Sequence, residues 1–133
     1  MACGPIICEV MRAALILKEE FGLETRVLNM HTVKPLDREA VGRACRETAA
    51  VLTCEEHQKG GFGNLIAAAL CTAKQRDDPF VFAMMGIEDR FGESGRPREL
   101  MIRFGLTAEH IAVRARELAD RKGSVKRTRR RRA

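Results

Sequence analysis

The chain has 133 residues, 45% of them apolar, and 24 Lys and Arg against 18 Asp and Glu give a formal net charge of +6. That length suits one domain with one core, and the apolar fraction excludes a wholly disordered chain. No apolar run approaches the roughly 20 residues of a membrane span, and MACGPIICEVMRAALILKEE is no secretory signal, because it lacks a basic leader and Glu9 and Arg12 interrupt it.

In chain order, residues 5–20 read as a helix. Ile6/Ile7, Val10/Met11 and Ala14/Leu15 recur at the helical period, Pro5 fits the first turn, and Phe21-Gly22 ends it. TRVLNM, 25–30, is short, apolar and β-branched at its centre, which predicts a buried strand. HTVKPL is a loop with Pro35 blocking continuation. Asp37 is the N-cap of a helix running to about Thr48, with Ala40, Val41, Ala44 and Cys45 inward. AAVLTCEE, 49–56, is a second strand whose apolar run turns to charge at its C-terminal end. From about Asn64 to Lys74, LIAAALC is apolar on nearly every face and predicts a largely buried helix. RDDP is a turn, and FVFAMMGI, 80–87, is a third buried strand. EDRFGESGRP is a polar, glycine-rich loop. A short helix follows with Leu100, Met101 and Phe104 inward, stopped by Gly105. Thr107 caps a last helix with Ile111, Ala112, Ala115, Leu118 and Ala119 on one face.

Helices alternating with apolar strands predict an α/β fold, a three-layer α/β/α arrangement around a mostly parallel sheet. The basicity is uneven. Eight of the 24 Lys and Arg lie from Arg121 onward with no acid among them, which leaves 16 basic against 18 acidic groups in the rest. RKGSVKRTRRRRA has no packing pattern and predicts a disordered tail, 121–133, behind a domain of residues 1–120. A solvated extension is the simpler reading. A nucleic-acid contact would run through this tail alone, at Arg127, Arg129, Arg130, Arg131 and Arg132. The five cysteines, at 3, 8, 45, 54 and 71, form no Cys-x-x-Cys. They read as small buried hydrophobes in a reducing, cytoplasmic setting, with no metal role.

The densest polar chemistry is TCEEHQKGGFGN, residues 53–64, at the C-terminal end of a predicted strand and the start of a helix, where open α/β sheets place their sites. Three readings compete: a Glu-His acid-base pair, a phosphate cradle, or a strand-to-helix turn. The cradle is poorly supported. Gly61-Phe62-Gly63 would need a third glycine at 66, which is Ile, and no Gly-Lys is followed by Ser or Thr. The acid-base group, His57 with Glu55 and Glu56, can use at most one carboxylate, because adjacent residues on a strand alternate faces. No serine or cysteine at a strand-to-helix elbow accompanies it, Cys54 lying within the strand. The glycines fit a sharp turn that lets the helix approach the sheet. His31 and His110 are weaker candidates.

Five stretches stand in one order: ACGPIICEVMRAA, RVLNMHTVKPLD, TCEEHQKGGFGN, GIEDRFGESGRPREL and FGLTAEHI. Together they resemble the C-terminal domain of transketolase, above all the bacterial and archaeal type made as two polypeptides, over about residues 2–120. Deoxyxylulose-phosphate synthase and the β subunits of 2-oxoacid dehydrogenases share that fold but fit these motifs less well. The resemblance implies a thiamine-diphosphate enzyme that moves a two-carbon ketol unit between sugar phosphates, with the cofactor and Mg held by other domains of facing protomers. This domain would support assembly or regulation. It implies partners too: an N-terminal subunit or domains carrying the cofactor site, and a homodimer of the assembled enzyme, with no membrane. A stand-alone interaction module with a basic tail is the alternative. The chain has no Gly-Asp-Gly, so no cofactor, metal or catalytic residue is assigned to it, and alone it is expected to be inactive. Against the family's pattern, the first edge strand and the interior strand are missing except at Met1-Ala2-Cys3, which predicts an N-terminally truncated domain. The expected site is an assembly surface of Glu55, Glu56, His57, Gly60, Gly61, Phe62 and Gly63.

Overall fold

The computed structural model describes residues 1–72 and 79–132, with the side chains of the last helix as far as Gly123. Its elements are α1 (Ile7–Phe21), α2 (Arg38–Thr48), β1 (Ala50–Gln58), α3 (Phe62–Thr72), β2 (Val81–Ile87), α4 (Pro97–Arg103) and α5 (Ala108–Arg132). The RDDP turn and the predicted end of α3 at Lys74 fall at or within residues 73–78, outside the described part.

β1 and β2 pair in parallel, with Ala50 beside Val81 and Cys54 beside Met85. On the other side of β1, Ala2 bridges in parallel to Cys54 and to Asn29. Ala2 N–H donates to Leu28 O at 3.0 Å, and Met30 N–H donates to Ala2 O at 2.8 Å. Residues 1–3 thus stand between the 25–30 segment and β1. The strand predicted at 25–30 reduces to this single bridge at Asn29, because a strand needs a neighbour along its length and this segment meets one only at residue 2.

Two cores flank the sheet. Ala2, Ile6, Val10, Ala13, Leu17 and Cys54 pack with Leu106, Ile111 and Ala112 on the α1/α5 side. Cys3, Met30, Val41, Cys45, Val51, Phe62, Ile66 and Leu70 pack on the α2/α3 side. This is the α/β/α layering the alternating pattern predicts. Beside the first core an apolar cavity of about 210 Å³ is lined by Leu17, Leu23, Val27, Leu28, Leu52 and Leu118, among others.

Local chemistry sets the helix ends. Asp37 caps α2, its carboxylate accepting from Ala40 N–H at 2.9 Å. Gly22, at φ 62°, closes α1, with Leu23 N–H reaching back to Leu17 O at 2.9 Å. Several expectations give way. The inward stripe of α1 is Val10, Ala13 and Leu17, while Met11 and Leu15 are more than half exposed. Apolar side chains stand next to one another along this helix, so the pairs chosen by periodicity straddle the edge of the buried face. α3 buries Phe62, Ile66, Ala69 and Leu70, yet Ala68 and Cys71 are exposed. Cys8 is also exposed, so only Cys3, Cys45 and Cys54 fit the buried reading. Leu100, Met101 and Phe104 are half-buried, and α4 has no fully buried residue. α5 continues to Arg132 as helix where the sequence predicts disorder. Arg and Lys are good helix formers, and a helix already nucleated by packing extends at little cost per residue.

Candidate functional site

The register of the sheet changes where the polar chemistry begins. Cys54 pairs with Met85 and Gln58 with Ile87, so β1 advances four residues while β2 advances two. The extra residues of this bulge are among Glu55, Glu56 and His57. Bulges of this kind re-aim side chains at strand ends. The bulged backbone lies directly over Gly86: a Cβ there would stand 2.8 Å from His57 O and 3.0 Å from Lys59 Cα. Gly86 therefore permits the close approach of the two strands.

Glu55 is fully buried, and its carboxylate has three partners. Oε2 accepts from Phe62 N–H at 2.7 Å and Oε1 from Gly63 N–H at 2.9 Å. Oε2 also lies 2.8 Å from His57 Nδ1. Phe62 and Gly63 open α3, so a side chain from inside the sheet satisfies two of the orphan N–H groups of the helix and sets a negative charge at its positive end. An oxygen that accepts from Nδ1–H leaves the imidazole's Nε2 on the outer side, and the His57 side chain is 65% exposed.

The glycines have distinct roles. Gly60 holds φ 108°, a conformation that L residues rarely adopt. A Cβ on Gly61 would stand 2.8 Å from Glu55 Oε2, and one on Gly63 would stand 2.5 Å from Met84 Sδ. Gly61 therefore lets the turn close over the carboxylate, and Gly63 lets the start of α3 approach the sheet. Phe62 is buried in the α2/α3 core. Glu56 is half-buried. The structure thus brings Glu55, His57, Gly61, Phe62 and Gly63 together around one carboxylate. Thr53, two residues before Glu55 and fully buried, keeps an Oγ1 with no hydrogen-bond partner.

Other candidates separate from this cluster. Burial pushes the Cys54 thiol up to about 11, with the charge of Met1's amino group opposing and Glu55 adding. A thiol so held is not a nucleophile near neutral pH. The basic residues Arg127, Arg129, Arg130, Arg131 and Arg132 lie on the α5 extension, whose side chains are outside the described part. Thr107 stands at the N-cap position of α5, where its carbonyl accepts from Ile111 N–H at 3.0 Å. Its Oγ1 bonds the Glu109 carboxylate at 2.6 Å and His110 Nδ1 at 2.8 Å. The N–H of Ala108 is instead taken by Glu9 Oε2 from α1 at 2.8 Å, a long-range cap with no local sequence signal.

The residues present do not fit thiamine diphosphate with a divalent cation. The N–H groups that would cradle a diphosphate at the start of α3 are already held by Glu55. Among the described residues, no group of three His, Cys, Asp or Glu is placed to hold a metal ion. Nor is any described helix long and apolar enough to cross a membrane.

Sequence comparison places these features among known proteins. The transketolase C-terminal domain family matches residues 1–111. The chain is 41% identical over 123 residues to the 6-deoxy-6-sulfo-D-fructose transketolase subunit SqwH of Clostridium sp. (strain MSTE9), covering 92% of this chain and 37% of that one. It is 38% identical over 116 residues to a 1-deoxy-D-xylulose-5-phosphate synthase of Pelotomaculum thermopropionicum, covering 86% of this chain and 18% of the synthase. Among solved structures, a split-gene transketolase described as an inactive β4 tetramer superposes with a TM-score of 0.77 at 32% identity, over 90% of this chain and 37% of the other. The chain thus spans little more than a third of the subunits it matches.

Proposed function

Because the chain belongs to the transketolase C-terminal domain family, we propose that it is the C-terminal section of a thiamine-diphosphate-dependent transketolase and serves assembly, not chemistry. The enzyme would transfer two-carbon ketol units between sugar phosphates in the cytoplasm. The cofactor and Mg would sit on an N-terminal subunit or domains, and the assembled enzyme would be a homodimer of such pairs. In this reading His57 and Gly61, with the half-buried Glu56 and Gly60, form a docking surface, and buried Glu55, Phe62 and Gly63 support it from beneath.

One observation carries the assignment of that surface. The carboxylate of Glu55 is buried and committed to Phe62 N–H, Gly63 N–H and His57. A general base must reach a substrate proton at hydrogen-bond distance, and this carboxylate has no open side from which to do so. It can hold an exposed imidazole in one orientation, which suits a directional hydrogen bond across an interface.

The test is His57→Ala in an enzyme reconstituted from this chain and the thiamine-diphosphate-binding polypeptide of the same organism. Weaker assembly, by about fivefold or more, with near-normal turnover at saturating subunit is expected. Intact assembly with turnover reduced about 100-fold would instead assign His57 to acid-base catalysis.

A further inference from the structure

Phe91 is 98% exposed, the most exposed large apolar side chain among the described residues. Its loop follows β2, on the sheet edge where β1 delivers His57. A loose loop would let the ring fold back onto the protein, but this loop is tied down on both sides of it. Lys59 Nζ pairs with Glu88 at 2.9 Å, and Gln58 Nε2 donates to Arg90 O at 3.0 Å. Arg90 lies over the Phe104 ring at 4.5 Å and donates to Arg103 O at 3.1 Å. Arg103 Nε meets both oxygens of Glu93 at 3.1 Å. The loop is therefore pre-organised and joined to the end of β1, with its one large apolar group turned to water.

We infer that Phe91 is the anchor of the docking surface and inserts into an apolar pocket of the polypeptide that carries the cofactor-binding domains. The inference rests on the reading of residues 55–63 as that surface. Two observations favour this occupant. Gln58 and Lys59, which hold the loop, continue directly from His57, so the ring and the imidazole face one partner. The match covers 37% of the related subunits, so most of their polypeptide lies outside the matched region and is available to pack against it. A rigid aromatic ring beside an oriented polar group, within a rim of ion pairs, is the composition of an interface hot spot. Asp89 and Glu93 near the ring disfavour an anionic lipid surface.

The chain has no Trp, so Phe91→Trp adds its sole indole. In the isolated variant the emission should match free indole and be fully quenched by acrylamide. Adding the thiamine-diphosphate-binding polypeptide should shift the added emission to the blue and protect it. Phe91→Ala should raise the Kd for that polypeptide at least about tenfold and leave the melting temperature unchanged. If His57→Ala weakens binding and Phe91→Ala does not, the docking surface stands and the anchor is overturned. If neither changes Kd, or the unaltered chain does not bind, the surface reading falls with it. A blue shift in the isolated variant that tracks dimer formation in sedimentation would make a second copy the occupant and overturn the inference.

Discussion

Helices α3 and α5 both begin on a carboxylate that belongs to another element, and the two caps lie at different depths. Glu55 comes from the bulge of β1, is fully buried, and serves two N–H groups and an imidazole. Glu9 comes from α1, keeps 22% of its side-chain surface, serves one N–H, and shares its charge with Arg12 at 2.8 Å. The chemistry is the same, but water can replace the second partner set and not the first. Depth, more than the number of bonds, should decide what each cap contributes.

The largest break in that comparison is Glu55→Gln. One oxygen becomes an NH2 that faces an N–H group, and the buried site cannot rehydrate. A loss of about 3 kcal/mol or more in urea unfolding is expected; a loss below 1 kcal/mol would mean that depth matters little here. Next comes Gly86→Ala, which keeps the carboxylate but forces the bulge away, because the new methyl would meet backbone at 2.8 Å and 3.0 Å and Glu55 Cγ at 3.1 Å. About 2 kcal/mol of destabilisation is expected, together with a changed chemical shift for His57. Glu9→Gln should cost about 1 kcal/mol or less, since the start of α5 can turn to solvent. A cost equal to that of Glu55→Gln would erase the distinction.

The smallest effect is expected at exposed Glu109. Its hydrogen bond from Thr107 chiefly holds its carboxyl below the ordinary 4.5, and the nearby backbone adds to this. A depressed acid contributes stability above its ordinary value and loses it as pH falls through the lower, folded value. Thr107→Val should therefore bring the Glu109 titration, followed by NMR, back up toward 4.5. It should also flatten the acid limb of the melting-temperature profile slightly below that pH. An unmoved titration would assign the shift to the helix backbone instead.

The sequence carried these features unevenly, for physical reasons. Asp37, β1, β2 and α2 were legible because their signals are local: a capping carboxylate, short apolar runs, an apolar stripe. The segment 25–30 had the same strand composition, yet strand structure depends on a neighbour, which composition does not encode. That one carboxylate at most could face His57 was visible, since adjacent residues on a strand alternate faces; that it is Glu55 is shown by the fold. The destination of that carboxylate at α3 was not visible, because it needs the turn to bring together residues seven apart in the chain. Glu9 reaching Ala108 across the whole domain left no trace in spacing. Phe91 read as part of a polar loop, and only the fold shows that nothing covers it.

The bond from the N–H of Phe62 to Glu55 also constrains motion. If α3 frays at its first turn while β1 stays in place, a carboxylate is left buried with fewer partners; if β1 leaves, the helix loses its first two acceptors. Neither element can open cheaply alone, so β1 and α3 should open as one unit. In deuterium the amides of Phe62 and Gly63, although they sit at a helix start where protection is usually poor, should exchange no faster than the central amides of β1. The amide of Ala108, held by the shallower Glu9, should exchange well before them.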